Sequence, residues 1–103
     1  MLPEKVIVAG IDYEIAEVDT VILNGSTEYA GSVNYPDSRI EILERLSNSK
    51  KEQTLVHEML HACFHEAGFI DHEEDMVNRL GIVLYQVLKD NKLYFGNADT
   101  AER

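Results

Sequence analysis

The stretch Ser49-Lys50-Lys51-Glu52-Gln53-Thr54-Leu55-Val56-His57-Glu58-Met59-Leu60-His61 marks the point where the chain changes period. Ser49 and Glu52 have the spacing of a capping box, in which a hydroxyl and a carboxylate satisfy the exposed amides of a helix's first turn. From there the spacing predicts a helix as far as Ala67. Gly68 is suited to the left-handed conformation that closes one. At about 100° per residue, Val56, Met59, Leu60, Cys63 and Ala67 share an apolar face, while His57, Glu58 and His61 occupy a polar arc. One side of this helix is built for a core and the other for chemistry.

Upstream, the residues read as strands. Lys5 to Ala9 and Tyr13 to Val18 are β-like runs with Gly10-Ile11-Asp12 as the turn between them. Val21-Ile22-Leu23 is a third, short run, stopped by the turn signal Asn24-Gly25-Ser26. Tyr29 to Tyr35 and Arg39 to Leu43 flank Pro36-Asp37-Ser38 and form a second expected hairpin. Downstream, Asp71 and Glu74 repeat the capping spacing. Met76, Val77, Leu80, Val83, Leu84, Val87 and Leu88 then supply the apolar stripe of a second helix ending near Asn91. Only Phe69 and Ile70 separate Gly68 from the new cap, which favours antiparallel packing of the two helices. The tail, with Gly96, Asn97, Asp99 and Thr100, is polar and expected to fray. The predicted fold is α+β, a small antiparallel β-sheet followed by two antiparallel helices. It forms a single domain over residues 1–103, without internal repeats.

Composition narrows the function. With 45% hydrophobic and 27% charged residues the chain has a globular mixture. No run approaches the roughly 20 apolar residues of a membrane helix, and the opening Met1-Leu2-Pro3-Glu4-Lys5 lacks the pattern of an export signal. A formal net charge of −10 repels phosphate backbones and anionic lipid, so neither nucleic acid nor membrane is an expected partner. The single Cys63 has no partner for an internal disulfide, which fits a reduced, cytoplasmic setting. Oligomeric state leaves no mark in the sequence.

Within the predicted helix, His57-Glu58-Met59-Leu60-His61 is an H-E-x-x-H pattern, whose two imidazoles lie one turn apart and can converge on one metal ion. Zinc held by neutral imidazoles lowers the pKa of a bound water to roughly 7. Glu58, one residue after the first ligand, is placed to accept that water's proton as general base and to pass it to the leaving amine. A stable catalytic zinc needs a third protein ligand, for which His65, His72, Glu73 and Glu74 are available. His65 lies two turns from His57, about 12 Å along the axis, too far for all three rings to share one ion. If the helices are antiparallel, the third ligand comes from inside the second helix, which favours Glu74. Gly81 would let the helices approach. The competing role for Glu74 is to cap its helix, and His72 and then Glu73 are the next candidates.

At these residues the chain resembles the small HExxH metallopeptidase-like proteins of phages and prophages, related in pattern to the ImmA/IrrE group and more loosely to SprT-like proteins. The likeness takes in Val33-Asn34-Tyr35 through Arg39-Ile40-Glu41-Ile42, the helix Thr54 to Ala62, and Glu74 to Leu80. It implies a minimal gluzincin-like, zincin-type fold, in which the second helix gives a Glu ligand, corresponding to Glu74. SprT-like proteins instead complete the site with a His beyond the motif helix, to which His72 corresponds. In related peptidases an edge strand pairs with the extended substrate, a part open to Tyr29 to Tyr35 or Arg39 to Leu43. The expected function is zinc-dependent hydrolysis of peptide bonds, with a peptide or protein substrate. The alternative is a catalytically inactive zincin-like phage regulatory or protein-binding module.

Overall fold

The computed structural model describes residues 2–93, 95 and 96; the predicted frayed positions Asn97, Asp99 and Thr100 lie outside the described residues. Six elements follow in order: β1 (Lys5–Val8), β2 (Ile11–Val18), β3 (Gly31–Asn34), β4 (Arg39–Leu43), α1 (Asn48–Glu66) and α2 (Glu74–Asp90). The β1–β2 turn is Ala9-Gly10 and not Gly10-Ile11-Asp12. Ala9 and Gly10 both take positive φ (52° and 81°), the requirement of a two-residue type I′ loop, and this frees Ile11 to pair with Val8. In the second hairpin, Ser38 N–H donates to the Tyr35 carbonyl at 3.1 Å and Asp37 N–H to Asn34 Oδ1 at 3.0 Å.

Both hairpins are antiparallel, as the sequence predicts, but they join through a parallel pair. β2 runs alongside β4 from Glu14 opposite Arg39 to Val18 opposite Leu43, giving the order β1-β2-β4-β3. The sheet is therefore mixed and not wholly antiparallel. The segment crossing from β2 to β3 makes this possible, and it contains no strand at Val21-Ile22-Leu23. Val21 is instead buried as an anchor, while Leu23 and Ser26 bridge around Asn24-Gly25. β3 is also shorter than the predicted Tyr29 to Tyr35.

One face of the sheet carries Tyr13, Ile15, Ile40 and Ile42 into a core closed by Leu55 and Ala62 of α1, with Met59 packed against it. The alternation of buried and exposed residues along β2 and β4 follows from the period of two of a strand. The buried face of α1 is turned from the predicted one: Leu55, Val56, Glu58 and Ala62 are inside, whereas Cys63 and Ala67 are exposed. The cap of α1 is Ser47, two residues before the predicted Ser49, with its hydroxyl accepting from Lys50 N–H at 3.3 Å. Its C-terminus closes as expected. Gly68 takes φ 98°, and the amides of Gly68 and Phe69 return to the carbonyls of His65 and Phe64.

α2 begins at Glu74 behind Glu73, not behind Asp71, and Glu73 makes no side-chain cap. Among the described elements it packs on α1 alone. The two run antiparallel: Glu74 lies by His57 and His61, while Tyr85 and Lys89 both donate to Glu52 Oε1 at 2.7 Å near the other end. Of the predicted stripe only Val77 is buried, together with Gly81; Met76, Leu80, Val83 and Leu88 remain exposed because no further element covers them among the described residues. No helix among the described residues is long and apolar enough to cross a membrane.

Edge strand β3 meets α1 at Gly31, where a Cβ would lie 2.7 Å from Thr54 Cγ2, 3.0 Å from the Glu41 carbonyl oxygen and 3.3 Å from Glu58 Cγ. The Glu41 contact is backbone and cannot rotate away. Gly31→Ala is expected to cost about 1–3 kcal/mol of stability through overpacking, read as a lower urea midpoint with unchanged slope.

Candidate metal centre

His57 and His61 stand one helical turn apart on α1, and Glu74 opens α2 opposite them. Gly81 faces α1 from the middle of α2. It is buried against the backbone of His57, and a Cβ there would already touch His57 Cα at 3.7 Å and Leu60 Cδ1 at 3.8 Å. Glu74 Oε1 lies 2.9 Å from His57 Nε2, and Glu74 Oε2 lies 3.1 Å from His61 Nε2. One ligand atom from each of the three falls within 4.8 Å of the others. A tetrahedral zinc with bonds of about 2.0–2.1 Å separates neighbouring donors by roughly 3.3 Å, so these side chains need little movement to enclose one ion.

The proton accounting around His61 asks for a positive charge. His72 Nδ1 is 2.6 Å from the Phe69 carbonyl, which can only accept, so this nitrogen carries a proton. A neutral His72 then offers Nε2 as an acceptor, and His61 Nδ1, 2.8 Å away, donates to it. If His61 is also neutral, its Nε2 bears a lone pair aimed at a carboxylate oxygen 3.1 Å away. Two acceptors in that position repel unless an extra proton converts a ring to imidazolium or a cation lies between them. Burial holds His61 below the usual imidazole pKa, with Glu74 opposing and His57 reinforcing the shift. The extra proton is thus disfavoured at His61, and neutral imidazole is the form that binds metal.

Glu58 is the one buried charged side chain among the described residues, 7% exposed. Burial, and secondarily the charge of Glu74, push its pKa up to about 8. A divalent cation beside it would favour the ionised form, reversing part of that shift. A cleft of about 460 Å³ opens here, lined by His57, Glu58, His61 and Glu74 together with Gly31 and Tyr35. The Tyr35 ring stacks on His65 with centroids 3.9 Å apart and planes 5° from parallel. Burial, then Glu58, then Glu74 raise the Tyr35 pKa, so its hydroxyl stays protonated as a donor.

The structure thus gathers His57, His61 and Glu74, with Glu58 lining the same cleft. It does not bring Glu73 or His65 into the cluster. His72 is adjacent but spends its two nitrogens on His61 and Phe69, and its ring stacks on Phe64 at 5.0 Å, so it orients His61. Sequence reasoning missed Tyr35, the orienting part of His72, and Gly31. For Gly31 a signal existed, since a glycine inside a strand pattern marks close backbone approach. Comparison with protein-family models, curated proteins and solved structures found no match.

Two outcomes follow from this geometry. His72→Phe keeps a ring against Phe64 but removes the acceptor for His61, and should weaken zinc affinity by about 10–100-fold in competition with a chromophoric chelator. In the metal-free protein, the raised pKa of Glu58 means that its contribution to stability is fully present below the ordinary carboxyl value of 4.5 and is lost as pH rises to about 8. Glu58→Gln should therefore raise the Tm at pH 9 relative to the parent and leave it nearly unchanged at pH 4, as read by calorimetry with chelator present.

Proposed function

We propose that the protein is a zinc-dependent metallopeptidase in which His57, His61 and Glu74 hold the metal and Glu58 is the general base. The observation that carries this reading is the convergence of two imidazole nitrogens and a carboxylate on a point where two acceptors face each other, beside a buried glutamate. Two nitrogens and one oxygen suit zinc, whose catalytic sites take three protein ligands and leave a position open. When bound, zinc supplies acidification of a water and polarisation of the peptide carbonyl. Glu58 accepts the proton of the attacking water and delivers it to the departing amine. With a divalent cation beside it the ionised carboxylate is favoured, which is the form that accepts a proton. Tyr35, protonated in the cleft wall, offers a donor to the carbonyl oxygen as negative charge builds there. His72 holds the His61 ring in the tautomer that ligates.

The resemblance to small HExxH metallopeptidase-like proteins of phages and prophages supports the same reading, as does the place of β3 at the sheet edge beside α1. A reducing compartment such as the cytoplasm suits the exposed thiol of Cys63.

A second reading, a non-catalytic zincin-like binding module, draws on the exposed Met76, Leu80, Ile82 and Val83 of α2, an apolar surface of the kind that contacts other proteins. One experiment separates the two. The metallopeptidase should take up about one zinc per chain and cleave members of a broad peptide library, and Glu58→Gln should retain zinc while losing at least about 100-fold in rate. Zinc uptake without cleavage by the unmodified protein favours the module. Failure to take up zinc supplied in excess removes both.

A further inference from the structure

The cleft has a second arm, about 440 Å³ in volume, along the N-terminal half of α1. Tyr29, Gly31, His57 and Glu58 line both arms, so they meet at the candidate general base. The chain has 19 acidic and 9 basic residues, yet among the described residues lining the arm Lys50 is the one charged residue apart from His57 and Glu58. Lys5, Arg39, Lys51, Arg79 and Lys89 each meet a carboxylate. Lys50, like Arg45 and Lys92 outside the arm, meets none among the described residues. Its Nζ donates to the Gln53 carboxamide Oε1 at 3.4 Å, a long contact with a neutral group. Gln53, Thr54 and Asn78 add neutral polar atoms to the wall.

Position gives this lysine a use. Lys50 precedes His57 by seven residues, two turns on the same face, about 10 Å along the helix axis. An extended peptide advances about 3.3 Å per residue. With the reach of the lysine stem, a carboxylate one or two residues from a bond held at His57 and Glu58 comes to the ammonium. The fields of exposed charges decay over about 8 Å at physiological ionic strength, so that carboxylate meets Lys50 before it meets the net charge of the whole surface.

We propose that this arm is a specificity subsite that selects a substrate carboxylate beside the scissile bond, with Lys50 as its charged contact and Gln53 and Asn78 as neutral hydrogen-bonding partners. The proposal rests on the metallopeptidase reading. The carboxylate belongs either to an Asp or Glu side chain or to the C-terminal end of a peptide.

The test uses zinc-loaded protein and peptide hydroxamates, which grip the metal and undergo no cleavage. One series carries the hydroxamate at the C-terminal end and one at the N-terminal end, so both directions from the metal are sampled. The neighbouring residue is Glu, Gln, Leu or Lys, and in the second series the C-terminus is free or amidated. In one series, the Glu probe or the free C-terminus should show a Kd about tenfold below that of its Leu or amidated counterpart, the scale of a charge-assisted hydrogen bond. That advantage should vanish in Lys50→Met and pass to the Lys probe in Lys50→Glu, with zinc affinity unchanged in both. Preference for the Glu side chain assigns an acidic residue, and preference for the free end assigns the peptide terminus. Equal binding of all probes in both series, or a preference that persists in Lys50→Met, overturns the subsite and leaves the zinc reading standing. If no hydroxamate binds at all, both fall.

Discussion

Two imidazole nitrogens turned toward one carboxylate, inside a fold that resists protonating one of the rings, is the constraint around which the helical half of this protein is arranged. His57 and His61 are fixed by a single helix, so their spacing costs nothing beyond helix formation. Glu74 is brought to them across the antiparallel helix pair, which also meets where Gly81 lies against His57. The opposite end of the pair is fastened by Glu52 to Tyr85 and Lys89. Between these polar contacts α2 buries little apolar surface, Val77 and Gly81 being its buried residues. A positive charge at the imidazole–carboxylate cluster would therefore tie α2 to α1 as well as supply chemistry.

The sheet contributes to the same place from the other side. β3 is an edge strand pressed onto α1 at Gly31, directly over Glu58 and Thr54. This contact removes Glu58 from water, and that removal is the larger cause of its raised pKa. Tyr35 follows at the end of the same strand and stacks on His65, one turn beyond His61. A glutamate tuned by burial, a protonated phenol and a His–His–Glu set that could hold a metal thus line one cleft, supplied by three separate elements.

Parts of this were legible from spacing alone. His57, Glu58 and His61 needed only the period of a helix; counting turns back from Gly68 pointed to the inside of the second helix, whereas Glu74, weighed equally as a cap, stands at its first residue. The misreadings share a cause, which is that a local signal competed with a distant contact. Ser49 and Ser47 are both good caps, and the choice fell on Ser47, four residues past the end of β4. Asp71 has the capping spacing, yet the segment before Glu74 is occupied in turning His72 back onto His61 and Phe69. Cys63 belongs to an apolar arc by wheel angle but lies outside the sector that the sheet covers.

By itself, the sequence determined the α+β class, the two hairpins, the motif helix with its glycine stop and the second helix with its apolar stripe, because each rests on residues within a few positions of one another. Only the tertiary structure decided that β2 and β4 pair in parallel, that Gly31 presses a strand onto Glu58, that His72 orients His61, and that Lys50 lines a cleft arm without an ion pair among the described residues. Those facts join residues far apart in the chain or depend on which neighbours are absent. Backbone periodicity records which way a side chain points from its own element; what it meets there is set by the packing of the whole.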